Sequence, residues 1–343
     1  YYKKMTLQEL STQSTWLWKS WKGTAQYIDS LYENLKQHYI KQHRDWYINE
    51  RFVRWEHWIV FNKTINQIQQ IPLNSWEIRR TVNKIRTQVR GVKNFIKRNQ
   101  PRWQVASNDS SQESMDESIA DNKILQNVYE TQKFTSLLTD IIVNSLKYSV
   151  WILEGSLCDY NDGQILEFWA DDTFDIFIDP EATSIKDARF VLKVLKKSLT
   201  SIKNNKNYRI DWNLVADNKE WASDYKDQLE KEKFNKQNSA KWLEDLETIL
   251  VKELWLISKT DSWKNMVKVI TSSGGQVLRE QTLNYRRLPF FLYNPERQPN
   301  SIYSDPWIKD LISLNKSLDK TASQLETYIQ RAVRWAAASS PKP

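Results

Sequence analysis

Pro306–Arg334 is the most regular stretch of the chain. Ile308, Leu311, Asn315, Leu318, Ala322, Leu325, Ile329 and Ala332 follow one another at alternating steps of three and four. That spacing predicts one unbroken helix with a narrow heptad seam interrupted by a single Asn. At 1.5 Å per residue such a segment is a rod on the order of 43 Å long. A rod with so thin an apolar seam packs sideways against something else. One flank carries Lys309, Lys316, Lys320 and Arg334, with Asp319 and Glu326 closer to the seam.

At 343 residues the chain exceeds one average domain, so two or three packed units are expected. It starts with Tyr and stops at "AAASSPKP", which suggests a piece of a longer protein. A single cysteine, Cys158, excludes a disulfide framework and points to a reducing compartment. No run of about 18 apolar residues is present and no signal-peptide pattern opens the chain, so neither a membrane span nor secretion is expected.

The net charge is +8, and residues 1–100 hold 18 Lys and Arg against 7 Asp and Glu. That excess suits a polyanionic partner, and a solvated basic surface equally well. Seventeen tryptophans against 11 phenylalanines suit a subunit whose faces are covered by neighbours.

The opening, 25–62, has helical periodicity, and "WLWKSWKG" at 16–23 is a packing segment or an interfacial membrane anchor. Ser75–Pro101 is expected to be a helix capped by Ser75, with Val82, Ile85, Val89, Val92 and Ile96 on one stripe. The remainder of that helix carries eight Arg and Lys, and a phosphate-facing surface and a solvated one predict the same letters. Residues 106–118 are predicted as a surface loop and 119–146 as one long helix. A hairpin then joins "VWILEGSL" to "QILEFWA" through Asn161-Asp162-Gly163. Residues 196–250 form a charged insertion. "KELWLIS", "MVKVIT" and "QVLREQTL" follow as an antiparallel meander, and "RRLPFFLYNPERQPN" as a Pro-punctuated connector. The expected division is a Trp-rich helical region (1–74), an α+β region (75–300), and a connector plus long helix (301–343).

Little in the sequence supports catalysis. There is no Gly-x-Gly-x-x-Gly or Walker A run among only six glycines, and the three histidines, His38, His43 and His57, lack zinc-ligand spacing. The one candidate is the cluster Asp171, Asp172, Asp175 and Asp179. Paired carboxylates can hold metal ions for phosphoryl transfer, which would make the chain a metal-dependent nuclease or phosphodiesterase. Asp179-Pro180 closing an alternating strand is better explained as turn initiation. A peripheral membrane or scaffold protein is a further alternative.

Several stretches together resemble the tailed-bacteriophage portal proteins. "IRRTVNKIRTQVRGVKNFIKRNQPRWQV" is similar to that family's basic helix ending in a strand, with Arg80, Pro101 and Trp103 as motif positions. "GQILEFWADDTFDIFIDPEATSIKDARFV" resembles its aromatic-Ile-Asp-Pro pattern, followed by Asp-Ala-Arg-Phe, with Asp179, Pro180, Asp187, Arg189 and Phe190. "RLPFFLYNPERQPNSIYSDPWIKDLISLNKSLDKTASQLETYI" is similar to its connector and long helix, with Pro289. The order of these elements over roughly 78–335 carries the resemblance.

The resemblance implies an α+β, mainly helical subunit with a wing of helices and small antiparallel sheets and a long stem helix. It also implies a head-to-tail ring of about twelve subunits, a homododecamer, at one capsid vertex of the virion. Such a ring is assembled in the bacterial cytoplasm. It serves as DNA packaging and ejection channel, docks the terminase, and contacts the major capsid protein and head-tail adaptors. It is not an enzyme and needs no cofactor or membrane. On this resemblance residues up to about 300 are wing and Pro306–Arg334 is the first stem helix. The chain then stops before clip, tunnel loop and crown. Double-stranded DNA sliding through wants diffuse, sequence-independent charge. Lys309, Lys316, Lys320 and Arg334 are the channel-lining candidates, with ordinary solubilising charge or subunit salt bridges as their other use. Ile308, Leu311, Asn315, Leu318, Leu325 and Ile329 are the packing candidates.

Overall fold

The computed structural model describes residues 21–64, 67–99, 104–107, 109–160, 163–210, 214, 225–226, 228–229, 247–259 and 265–339. The Trp-rich stretch 1–20, Pro101, Trp103, the hairpin turn Asn161-Asp162 and most of the charged insertion lie outside them. Among the described residues the fold is α+β, with long helices and three antiparallel sheets. Two compact units divide the chain. One takes residues up to Asp45 with Ile152–Leu292 and Arg297–Ile302; the other takes Trp46–Trp151, Tyr293–Glu296 and the chain from Tyr303 onward.

The first unit is built on a five-stranded sheet of order β5-β6-β7-β8-β9 (β5 Ile176–Ile178, β6 Phe190–Ser198, β7 Thr248–Lys259, β8 Asn265–Ser273, β9 Gln276–Leu283). The three expected meander strands are β7, β8 and β9, paired in sequence order. Gly274 and Gly275 make the tight turn between β8 and β9 with φ of +56° and +74°, a left-handed conformation that costs a residue with a Cβ. Inner strand β6 buries Val191, Leu192, Lys193 and Val194 in succession, so both its faces are covered there.

The first part of α1 (Trp21–Val53) packs aromatic side chains onto this unit. Tyr32 meets the Phe177 ring edge-on, and the Tyr39 hydroxyl donates to the Ile178 carbonyl at 2.8 Å. The predicted hairpin is β3 (Trp151–Tyr160) with β4 (Gly163–Asp171). β10 (Phe290–Tyr293), inside the expected connector, adds to its β3 edge. At Gly155 an added Cβ would lie 2.9 Å from the Phe168 ring, which explains a glycine in mid-strand.

The second unit is mainly helical. After α1 ends, β1 (Ile59–Asn62) and β2 (Gln67–Gln70) form a small hairpin, so the helical pattern read through Asn62 stops nine residues early. The helix expected from Ser75 starts at Lys84 instead, as α2 (Lys84–Arg98), capped by Asn83 accepting from the Arg86 N–H at 2.7 Å. Residues 106–118 are not all loop: Ser111 caps α3 (Gln112–Thr131), taking the Ser114 N–H on its hydroxyl. The single helix expected over 119–146 is broken, because Lys133 adopts φ +50° between α3 and α4 (Phe134–Tyr148). A short α5 (Leu199–Lys203) follows β6 in the first unit, and the second unit ends in the long α6 (Lys309–Ser339). Its core gathers Phe52, Ile59, Ile85, Val89 and Ile308.

Candidate functional site

The site of interest in the second unit is the surface of α6. Ile308, Leu311 and Ile312 enter the core at its start. Beyond that turn the face turned toward the rest of the unit is polar: Asn315, Asp319 and Ser323 are buried and Thr327 half-buried, each four residues after the last. These side chains take the backbone N–H groups of an extended segment running antiparallel to the helix. Asn315 Oδ1 accepts from Lys84 at 3.1 Å, Asp319 Oδ1 from Val82 at 2.7 Å, Ser323 Oγ from Arg80 at 2.9 Å and Thr327 Oγ1 from Ile78 at 3.2 Å.

The periods agree: four helical residues rise about 6 Å and two extended residues about 6.6 Å. This segment pairs with no strand among the described residues, and its alternate donors are satisfied on helix side chains. His57 closes the array, its Nδ1 2.5 Å from Asp319 Oδ2 and its Nε2 2.9 Å from the Phe52 carbonyl, and its ring stacks on Phe52.

Only the first part of the expected seam is enclosed. Leu318, Leu325 and Ile329 are exposed in the single copy, together with Leu314 at 68%, Val333 at 62% and Trp335 at 80%. An apolar flank of this length is unusual on the surface of a single chain.

On the opposite flank lies a groove of about 640 Å³. Its apolar lining includes Val60, Leu73, Trp76 and Tyr328, all largely exposed, and Lys316, Lys320 and Arg331 border it. The Arg331 guanidinium sits 4.5 Å above the Trp76 ring and Lys316 5.2 Å from the Phe52 ring. Of the other basic candidates, Lys309 pairs with Asp305 at 2.5 Å, and Arg334 is exposed near the end of the helix. Arg80 lies 3.8 Å from Glu326.

The carboxylates of the first unit form ion pairs. Lys193 reaches Glu154 at 2.5 Å and Asp171 at 2.7 Å. Lys226 binds Asp175 and lies 3.2 Å from Asp172. Burial pushes the Glu154 carboxyl up to about 7 against the pull of Lys193, with Asp171 adding to the rise. Burial does the same to Asp175 against Lys226, with Asp172 adding.

Asp179 is enclosed, its side chain 1% exposed, and holds the Arg189 guanidinium through both oxygens at 2.5 and 2.7 Å. It also accepts the N–H of Glu181 and of Arg189, so the Asp179-Pro180 turn is tied to the start of β6. Burial alone would raise its carboxyl, but these hydrogen bonds outweigh it and hold the group below the usual carboxylate range. Asp187 accepts from Ser184 and Thr183 in the same turn, and Phe190 pairs with Leu256. Pro289 offers its carbonyl to the Gly155 N–H at 3.0 Å.

The sequence does not single out Lys193, Lys226 or Trp76, and it offers His57 only as a histidine without zinc-ligand spacing. For the α6 ladder a signal existed, the four-residue repeat of Asn315, Asp319, Ser323 and Thr327. Residues 172–317 match the model of the phage SU10 portal protein family, which supports a tailed-phage portal protein. No curated protein matches the chain. The matched stretch opens in the carboxylate cluster, contains the whole five-stranded sheet, and ends a third of the way along α6.

Proposed function

We propose that this chain is the ring-forming subunit of a tailed-phage portal, a non-enzymatic channel of about twelve copies arranged head to tail. The ring sits at one capsid vertex, passes double-stranded DNA during packaging and ejection, and carries docking surfaces for terminase, capsid protein and head-tail adaptors. The first unit with its sheets belongs to the wing, and α6 is the stem helix. The observation that carries this is the family match over 172–317. The exposed apolar flank of α6 supports it, because a ring subunit must bury two different faces against its neighbours. Lys309, Lys316, Lys320 and Arg334 supply charge without base-reading geometry, which suits either sliding DNA or contacts between subunits.

A metal-dependent nuclease is less well supported, since Lys193, Lys226 and Arg189 already neutralise the carboxylates such a reaction would need. Asp175→Asn with Asp179→Asn would then alter stability and not DNA hydrolysis.

Mass photometry followed by negative-stain electron microscopy tests the proposal. Rings with a central hole wide enough for a duplex are expected. A uniform monomer or closed dimer at micromolar concentration would sink it.

A further inference from the structure

We propose that α3 of one copy seats in the groove beside α6 of the next copy, so that these two surfaces are the opposite halves of one subunit contact. The inference rests on the ring proposed above and names the partner of its groove.

α3 is twenty residues long and buries none of them. A helix of that length gains little from its own hydrogen bonds in water and is held by packing an apolar face. Yet Met115, Ile119 and Ile124 are exposed. Ile124 shares a face with Glu113, Glu117 and Asp121, while Met115 and Ile119 lie across Asp116 on the other flank, and Lys123 is the one cation in the helix. The groove has the complementary composition: Val60, Leu73, Trp76 and Tyr328 as apolar surface, and Lys316, Lys320 and Arg331 as cations.

Spacing agrees with charge. Glu113, Glu117 and Asp121 succeed one another at four-residue steps, as do Lys316 and Lys320, so each row repeats every 6 Å or so and the two can lie side by side. No residue of α3 lines the groove of its own copy. Groove and helix are different surfaces, and their pairing is heterologous, the kind of contact that closes rings. The apolar lining favours a protein segment over a phosphate backbone. Lys316 and Lys320 are thereby assigned to the neighbour, which leaves Lys309 and Arg334 as the DNA-facing charges.

Two charge-reversed full chains test this: Glu113→Lys/Glu117→Lys/Asp121→Lys, and Lys316→Glu/Lys320→Glu. All five positions are exposed, and circular dichroism melting checks that both variants keep the fold. By mass photometry each variant alone should need about a hundredfold higher concentration to assemble. Their equimolar mixture should assemble like the unaltered chain, because a basic α3 then meets an acidic groove at every second contact and the native pair at the others.

If both variants form rings unaided, or the mixture fails to recover while each remains folded, the contact is elsewhere and the ring itself stands. If the unaltered chain forms only dimers that the same reversals disperse and the mixture restores, the ring fails and the contact survives. An unaltered chain that stays monomeric overturns both. Loss of DNA retention with assembly untouched would instead give these lysines to nucleic acid and overturn the contact.

Discussion

The backbone N–H of Val82 donates to Asp319 Oδ1 across 2.7 Å, joining two residues 237 positions apart. The other oxygen of the same carboxylate meets His57 Nδ1 at 2.5 Å. One buried side chain therefore satisfies an extended segment on one side and an aromatic ring on the other. Asp319→Ala strands the Val82 N–H and the Asn315 amide, which also donates to this carboxylate at 3.1 Å, and removes the partner of His57 Nδ1; an unmet buried polar group costs about 1–3 kcal/mol. The expected loss in urea unfolding is roughly 2–4 kcal/mol, with Asp319→Asn smaller because the acceptor toward Val82 remains. A loss below about 0.5 kcal/mol for the alanine variant would show that the array is decorative.

The same ladder shows where sequence reading succeeds and where it stops. Strands β7 to β9 and the β3–β4 hairpin were legible, because alternation and turn residues are local properties of each segment. The helical character of α6 was legible for the same reason. Its inward face was not. Asn315 looked like one polar interruption of an apolar seam, and Asp319 like a charge beside it. Their use depends on residues 78–84, whose alternate N–H groups donate to side chains of α6. That segment reads as helix because its apolar spacing continues the stripe of α2, and a side-chain pattern does not report where backbone donors go. The break at Lys133 was equally invisible, since no glycine or proline marks it. At the carboxylate cluster the turn role of Asp179 was local and readable, whereas pairing of Asp171 and Asp175 with Lys193 and Lys226 depends on tertiary contacts.

Arg189 holds the enclosed Asp179 through two hydrogen bonds while remaining about half exposed itself. Arg189→Ala should cost about 1–2 kcal/mol, solvent around the guanidinium reducing the value from that of a fully buried pair. Asp179 is held low when folded, so its contribution is present above the unfolded carboxylate pKa and is lost as pH falls through the folded one. The gap between the unaltered chain and Arg189→Ala should therefore narrow in acid. Urea midpoints at pH 7 and pH 3 measure it, and a constant gap would contradict the ion pair.

Lys193 is the shared cation of Glu154 and Asp171. Lys193→Met leaves two buried carboxylates with no partner from that position, and breaking a buried pair from one side costs about 3–5 kcal/mol. Glu154 is already pushed up to about 7 by burial with the lysine in place, and removing the lysine pushes it further. A carboxyl raised on folding binds its proton more tightly in the folded state, so folding gains as pH falls. The deficit of Lys193→Met should shrink between pH 8 and pH 5 in calorimetric melting. A deficit that grows over that interval would mean the carboxylates are stabilised by something other than this lysine.

Glu50 gives the opposite sign. It is enclosed in the second unit, with Lys147 at 2.9 Å, Arg54 at 2.8 Å and the Tyr148 hydroxyl at 2.8 Å. Burial alone would raise its carboxyl, but Lys147 and Arg54 overcome that and bring it down to about 2, against an ordinary value of 4.5. A depressed carboxyl stabilises the fold above its unfolded pKa, and that contribution drains away as pH falls from about 4.5 toward 2. The difference corresponds to about 3 kcal/mol. Glu50→Gln removes the titration and leaves Lys147 with a neutral neighbour, so it should be less stable at pH 7 by a similar amount. Its stability should then change less than that of the unaltered chain between pH 5 and pH 2.5. Parallel curves over that range would mean that Glu50 is not ionised in the fold, and the buried Lys147 would then need another counter-charge.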